Sequence, residues 1–222
     1  AAPRAASAAA ALAGCAAGAA WTRRARKRAG PTARQPATRR LRALMWDEDL
    51  EPLAAVTQRV FFDITAEEAD GPSGRVVFGL YGDLVPKTAS NFRALCTGEA
   101  GMSYKGSHFH RIFWDFMIQG GDILGGSSQG VSSAFGGAFP DEAPGLELYH
   151  DRPGLLGMAN SGPDTNGSQF YITTAPASWL DGEHVIFGEV LEGREVVMAI
   201  EHCASQSGEP SQRVIVAGCG EL

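Results

Sequence analysis

The first 46 residues contain no acidic side chain and no phenylalanine, although the 222-residue chain carries 25 Asp and Glu and eleven Phe in all. The missing acids leave ten Lys and Arg uncompensated, so that segment carries a net +10. The missing large side chains exclude a packed core there. Eighteen of the 46 residues are alanine and only Trp21 and Trp46 are aromatic, too little apolar area to offset the entropy of ordering. Long hydrophobic runs are also absent. The most apolar stretch, residues 5–20, is 16 residues of mainly alanine with Gly14 and Gly18 inside it, so no stable membrane insertion is expected. Cysteine is scarce: Cys15, Cys96, Cys203 and Cys219, none in a C-x-x-C pair and none at zinc-finger spacing from histidine. A structural zinc centre and a complete disulfide framework are therefore not expected, and reduced or buried thiols are.

What is present divides the chain in three. Residues 1–46 read as a disordered, basic Ala/Arg-rich leader, with Thr22-Arg23-Arg24-Ala25-Arg26-Lys27-Arg28 and Arg39-Arg40-Leu41-Arg42 as its clusters. Basic, acid-free and Ala/Ser/Thr-containing is the composition of an organelle transit peptide. Its order, apolar first and basic second, also suits a signal peptide followed by a transit peptide, which favours plastid slightly over mitochondrion. A nuclear-localisation or nucleic-acid patch would use the same charges and stays open as an alternative, though no aromatics interleave them. Residues 47–57 switch to acid and read as a linker. Residues 58–222 read as one domain with nine basic and 21 acidic residues, a net −12 that repels phosphate backbones.

Within that domain the apolar pattern has period two. In Arg59–Thr65, Val60, Phe62 and Ile64 fall on one face, and 75–81 reads as the returning strand of a hairpin. Further strands are predicted at 107–113, 116–123, 154–159, 168–174, 184–190 and 212–218, eight in all. Two helices interrupt them. One runs over 86–96, with Pro86 at its first position, Phe92 and Leu95 on one side and Gly98 beyond its end; the other runs over 193–202, with Val196, Val197 and Ile200 at helical spacing. The fold class expected is mainly β: a closed eight-stranded antiparallel barrel capped by two α-helices.

Generic chemical motifs are weak. Gly120-Gly121-Asp122-Ile123-Leu124-Gly125-Gly126 is glycine-rich but lacks the G-K-[ST] and following helix that hold phosphate. His108 and His110 share a strand face, yet no third ligand is near in sequence, so no metal is expected. The specific signal is collective. Phe109-His110-Arg111-Ile112 and Phe116-Met117-Ile118-Gln119-Gly120-Gly121-Asp122 resemble the signature of the cyclophilins, which are peptidyl-prolyl cis-trans isomerases. The likeness extends through Asn91-Phe92-Arg93-Ala94-Leu95-Cys96-Thr97-Gly98-Glu99, Met158-Ala159-Asn160-Ser161-Gly162-Pro163, Thr165-Asn166-Gly167-Ser168-Gln169-Phe170 and Trp179-Leu180-Asp181-Gly182, then His184-Val185-Ile186-Phe187-Gly188. It spans essentially 58–222, in order and at family spacing.

The resemblance implies an isomerase of X–Pro bonds in peptides and folding proteins, with no covalent intermediate and no cofactor, expected to work as a monomer. It makes Arg111 the catalytic residue. Phe116, Met117 and Leu180 match the pocket for the proline ring, and His184 matches a wall position. Gln119 matches a polar group that binds the substrate backbone and supports the arginine. Asn160, flanked by Ala159 and Ser161, matches the position whose backbone takes the residue before proline, and Gln169 belongs to the same substrate-binding set. His110 matches a pocket edge, where a purely structural role stays equally open. Trp179 matches a tryptophan associated with cyclosporin, which makes that drug an expected inhibitor.

Four positions depart from the family pattern. Tyr171 stands where the pocket often has Phe, and its hydroxyl needs a partner or solvent. Ser161 replaces a frequent Ala and Ser128 a frequent Gly. Trp114 is unusual in the turn before Asp115, where it either covers the barrel end or meets a partner. Trp114 and Tyr171 leave a second reading open, a weakly active proline-peptide-binding module or scaffold.

Overall fold

The computed structural model describes Trp46, residues 50–125 and residues 131–222. The leader expected over 1–46, except its last residue, lies outside the described residues, as do 47–49 and Ser128.

Alternation along the chain builds one antiparallel sheet. Its strands are β1 (Gln58–Ala66), β2 (Gly74–Leu80), β3 (Arg111–Phe113), β4 (Met117–Gly120), β5 (Leu155–Met158), β6 (Phe170–Thr173), β7 (Ile186–Glu192) and β8 (Val214–Glu221). They lie in the order β3-β4-β6-β5-β7-β2-β1-β8. In β1, Val60, Phe62 and Ile64 are buried, as the period-two reading requires. The sheet curls until its two ends meet. The segment before β3 hydrogen-bonds to β8: Phe109 N–H to the Val214 carbonyl at 3.0 Å and Gly106 N–H to the Val216 carbonyl at 2.8 Å, with a bridge between His108 and Ile215. Those bonds remove the open edges of an eight-stranded sheet.

Two predicted strands differ from the structure for local reasons. The 107–113 strand is divided, its first half pairing with β8 and its second half, β3, with β4. The 116–123 strand stops at Gly120 because Gly121 takes φ 81°, and a Cβ there would stand 2.5 Å from the Ser168 carbonyl oxygen.

Helix α1 (Pro86–Thr97) starts on a proline and ends at Gly98 in the left-handed region, and it buries Phe92 and Leu95. Helix α3 (Arg194–Glu201) follows Gly193 and buries Val196, Val197 and Ile200. A one-turn helix, α2 (Ala143–Leu146), and a 3₁₀ turn at Ser178–Leu180 were too short to show helical periodicity in the sequence. Phe62, Phe78, Phe92, Tyr104 and Phe170 pack edge to face or tilted at 5.0–5.9 Å inside the barrel.

The start of the domain is tied down as well. Leu53, Ala54 and Val56, in the segment read as a linker, pack against the core. Trp46 is buried, its ring lying over Gly154 and its carbonyl accepting from Arg194 Nη1 at 3.3 Å. No helix among the described residues is long and apolar enough to cross a membrane.

Candidate active site

Period two sorts the side chains of β3, β4, β6 and β5 onto two faces. Ile112, Ile118, Phe170, Ile172, Leu156 and Met158 point into the barrel and belong to the main core. The opposite face holds a second, separate apolar cluster of Met117, Ala159, Tyr171, Ala177 and Leu180, with Phe113 and Phe116 packed against it. The site therefore lies on the outside of the sheet rather than in the mouth of the barrel.

Strand register fixes its polar row. Arg111 pairs with Gln119, Gln119 with Tyr171, and Tyr171 with Gly157, four strands abreast. Directly paired residues share a face, so the Arg111 and Gln119 side chains stand beside each other next to the apolar cluster. Gln119 is buried, and its Nε2 donates to Gln169 Oε1 at 2.9 Å. Its own Oε1 is buried without a partner among the described residues, an acceptor left over for a ligand or a neighbour.

Arg111 itself enters no ion pair among the described residues; its guanidinium lies 5.4 Å from the centre of the Phe113 ring. Burial lowers its pKa, yet an arginine remains charged.

The Gln119–Gln169 pair also lines a groove, together with Ala159, Asn160, Ser161, Thr165, Ser168, Asp122, Leu124, Val131 and Ser132. Asn160 is braced by its side chain, Nδ2 donating to the Glu183 carbonyl at 2.9 Å, while the Ser161 N–H is taken by Thr165 Oγ1 at 2.9 Å. The N–H of Ala159 is taken by the Gln169 carbonyl at 3.1 Å. Gln119 thus stands where the apolar pocket meets the groove.

The remaining expected residues are Phe116, Trp179, His184 and His110. Phe116 lies 5.3 Å from the ring of Trp179, which is 44% exposed and forms the outer wall. His184 is buried with Nδ1 at 3.0 Å from the Met158 carbonyl, its ring edge-on to Tyr171 at 5.7 Å, and burial lowers its pKa. His110 stands apart from the apolar cluster, 6.4 Å from the His108 ring; its pKa is lowered chiefly by burial, against the pull of Asp122. Asp122, which acts on it, lines the groove. No group of three metal-ligating side chains occurs among the described residues.

Two of the unusual positions find internal partners. The Tyr171 hydroxyl lies 2.7 Å from His150 Nε2. Trp114, 48% exposed, packs edge-on to His202 at 5.1 Å, which ties the β3–β4 turn to the end of α3. Sequence reasoning missed Phe113 and Ala177, which complete the pocket, and His150 behind it. Phe113 was legible as the alternate neighbour of Arg111; Ala177 and His150 sit on loops and carry no such signal.

Comparison with known proteins agrees with this geometry. The family model for cyclophilin type peptidyl-prolyl cis-trans isomerase/CLD matches residues 61–221. The chain is 51% identical over 176 residues to an Arabidopsis thaliana protein named peptidyl-prolyl cis-trans isomerase CYP21-1, an overlap covering 75% of this chain and 76% of that one. A curled eight-stranded sheet, an arginine beside an apolar pocket on its outer face, and both matches lead to one conclusion: the chain belongs to the cyclophilin-type peptidyl-prolyl cis-trans isomerases.

Proposed function

We propose that Arg111 catalyses X–Pro rotation while the outer-face cluster holds the proline ring. Amide resonance opposes that rotation with a barrier of about 18–20 kcal/mol. Uncatalysed interconversion takes about tens to hundreds of seconds. No covalent bond breaks, so the protein needs only to favour the twisted amide over the planar one. In the twisted state the prolyl nitrogen becomes pyramidal and its lone pair localises. A permanently charged donor beside that nitrogen binds the twisted state more strongly than the planar one, the condition for acceleration. Each 1.36 kcal/mol of that preference is worth about tenfold in rate.

The observation that carries this reading is the Arg111–Gln119 pair standing beside the Met117, Tyr171 and Leu180 pocket, with Gln119 Oε1 unpartnered among the described residues. In this reading the proline ring enters the pocket between Phe116, Met117 and Leu180. Gln119 Oε1 accepts from Arg111 or from the substrate backbone, and Asn160 offers its backbone to the residue before proline, as an added strand would. Exchange spectroscopy on an Ala-Pro peptide tests it. Wild type accelerates exchange, and Arg111→Ala loses most of that acceleration while its dispersed spectrum persists. Equal exchange from both would remove Arg111 from the mechanism.

Unfolded and folding proteins are the natural substrates of such a site, which reads only the proline and its nearest neighbours. Trp179, exposed beside Phe116, supports cyclosporin as an inhibitor, and Trp179→Ala should weaken that inhibition. The binding-module reading rested on Trp114 and Tyr171, and both have partners inside the fold. The +10 leader supports import into an organelle, with plastid ahead of mitochondrion, and a working protein that is strongly acidic after its removal.

A further inference from the structure

Behind the pocket floor lies a buried polar chain that the reaction as described does not use. His150, on the segment after α2, is fully buried. Its backbone N–H and its Nδ1 both lie 2.8 Å from Asp181 Oδ1, and its carbonyl accepts from the Ala177 N–H at 2.8 Å. One residue therefore holds both ends of the 177–181 turn, which carries Trp179 and Leu180. At its far side Nε2 meets the Tyr171 hydroxyl at 2.7 Å, with the two rings stacked at 30° and 5.9 Å.

The proton arrangement has one consistent solution. The Asp181 carboxylate takes the Nδ1 proton, which leaves Nε2 as an acceptor, and the Tyr171 O–H donates to it. Burial raises the Tyr171 pKa and lowers that of His150, so the phenol keeps its proton and the imidazole stays neutral. His184 closes on the other side of the Tyr171 ring, edge-on at 5.7 Å. A phenylalanine at 171 would leave His150 Nε2 buried without a donor, so the tyrosine and the histidine belong to one device.

We propose that His150 is a positioning residue for isomerisation, acting through Tyr171 and the 177–181 turn to hold the floor and the wall of the proline pocket in one fixed relation. The proposal rests on the isomerase reading of the outer-face site. Its kinetic signature follows from where the proline ring sits. The ring occupies the pocket in the planar and the twisted state alike, so loosening the pocket weakens both equally and raises KM. Loss of Arg111 acts on the twisted state and lowers kcat.

The test measures kcat, KM and thermal midpoint on an Ala-Pro peptide for wild type, Tyr171→Phe, His150→Asn, His150→Gln and the double variant Tyr171→Phe/His150→Asn. Asparagine places an amide near Nδ1 and keeps Asp181 but falls short of Tyr171; glutamine places a polar atom near Nε2. His150→Asn should raise KM about tenfold with kcat within about twofold, and His150→Gln should recover most of that loss. Tyr171→Phe removes a single oxygen, folds, and should raise KM by about threefold or more. The double variant should be no worse than His150→Asn, because both break one chain. Unchanged KM in Tyr171→Phe and His150→Asn, with only the thermal midpoint lowered, overturns the proposal. So does a fall in kcat at constant KM. An inactive wild type overturns the isomerase reading itself, an outcome distinct from either.

Discussion

Gly157 lies directly across the β5–β6 ladder from Tyr171, and a Cβ on Gly157 would stand 2.3 Å from the Tyr171 hydroxyl oxygen. The aromatic ring thus fills space that the strand opposite leaves empty. Gly157→Ala is expected to destabilise the fold by about 1–3 kcal/mol, because the buried ring can make room only by leaving its packed position. It should also raise KM by pushing Tyr171 into the proline pocket. Chemical denaturation together with peptide kinetics checks both, and an alanine variant of wild-type stability would show that the ring is free to move.

Arg111 separates charge from geometry. Arg111→Ala should lower kcat by about 10²–10³, the range for removing one donor aimed at a transition state. The thermal midpoint should hardly move, since Arg111 makes no ion pair among the described residues. Arg111→Lys keeps the positive charge but loses the planar fork, and should recover only part of the rate. Full recovery by lysine would show that charge alone suffices.

Two buried histidines, His150 and His184, and the half-buried His110 have pKa values pushed below the ordinary histidine value, chiefly by burial. The unfolded chain takes up their protons near about pH 6.5 while the folded chain does not. More protons on the unfolded state means stability that rises with pH, complete above that value and lost as pH falls below it. Glu189 opposes this, because burial raises its pKa in the fold. The comparison of variant with wild type isolates one histidine. Around His150, Asp181 and Asp151 favour its protonation and His184 disfavours it, and burial outweighs them. Between pH 7 and 5 the thermal midpoint of wild type should fall more steeply than that of His150→Asn. Parallel curves would mean that His150 does not contribute.

Substrate breadth is expected from residues 137–138, which the family resemblance puts on a loop bordering the neighbouring pocket. Gly137 and Ala138 are small, and a Cβ on Gly137 would meet nothing within 4 Å. Residues this small offer little to select the residue two before proline. Across a positional peptide library, kcat/KM should vary by less than about tenfold at that position. A strong preference for one class of residue would locate a contact elsewhere on the groove.

If residues 1–46 are a cleaved leader, as proposed, Trp46 bears on where the cut falls. Its ring covers Gly154 and Arg194 holds its carbonyl, so the folded domain is completed by the last residue of the basic segment. N-terminal sequencing of the protein isolated from cells is expected to find a start between 40 and 46, with Trp46 retained. An intact basic leader would defeat the targeting reading. A start beyond 46 would show that the tryptophan is dispensable, and Trp46→Ala should then leave the thermal midpoint unchanged.

Much of this molecule was legible before any coordinates. The charge contrast between residues 1–46 at +10 and 58–222 at −12, the alternation in β1, the proline start and glycine end of α1, and the ordered motifs around Arg111 and Gln119 are properties of neighbouring residues along the chain. Local sterics and side-chain periodicity need nothing else to act. Folding decided the rest. Which face of β3, β4, β6 and β5 became the site depends on the sheet curling until 106–109 met β8, which put one set of alternate residues inside and the other outside. His150 lies 21 positions from Tyr171 on β6 and 31 from Asp181, and the loops that carry His150 and Asp181 share no period. Only the convergence of those loops behind the pocket gives the tyrosine hydroxyl a buried acceptor, because a hydrogen bond requires contact in space and leaves no spacing in the sequence.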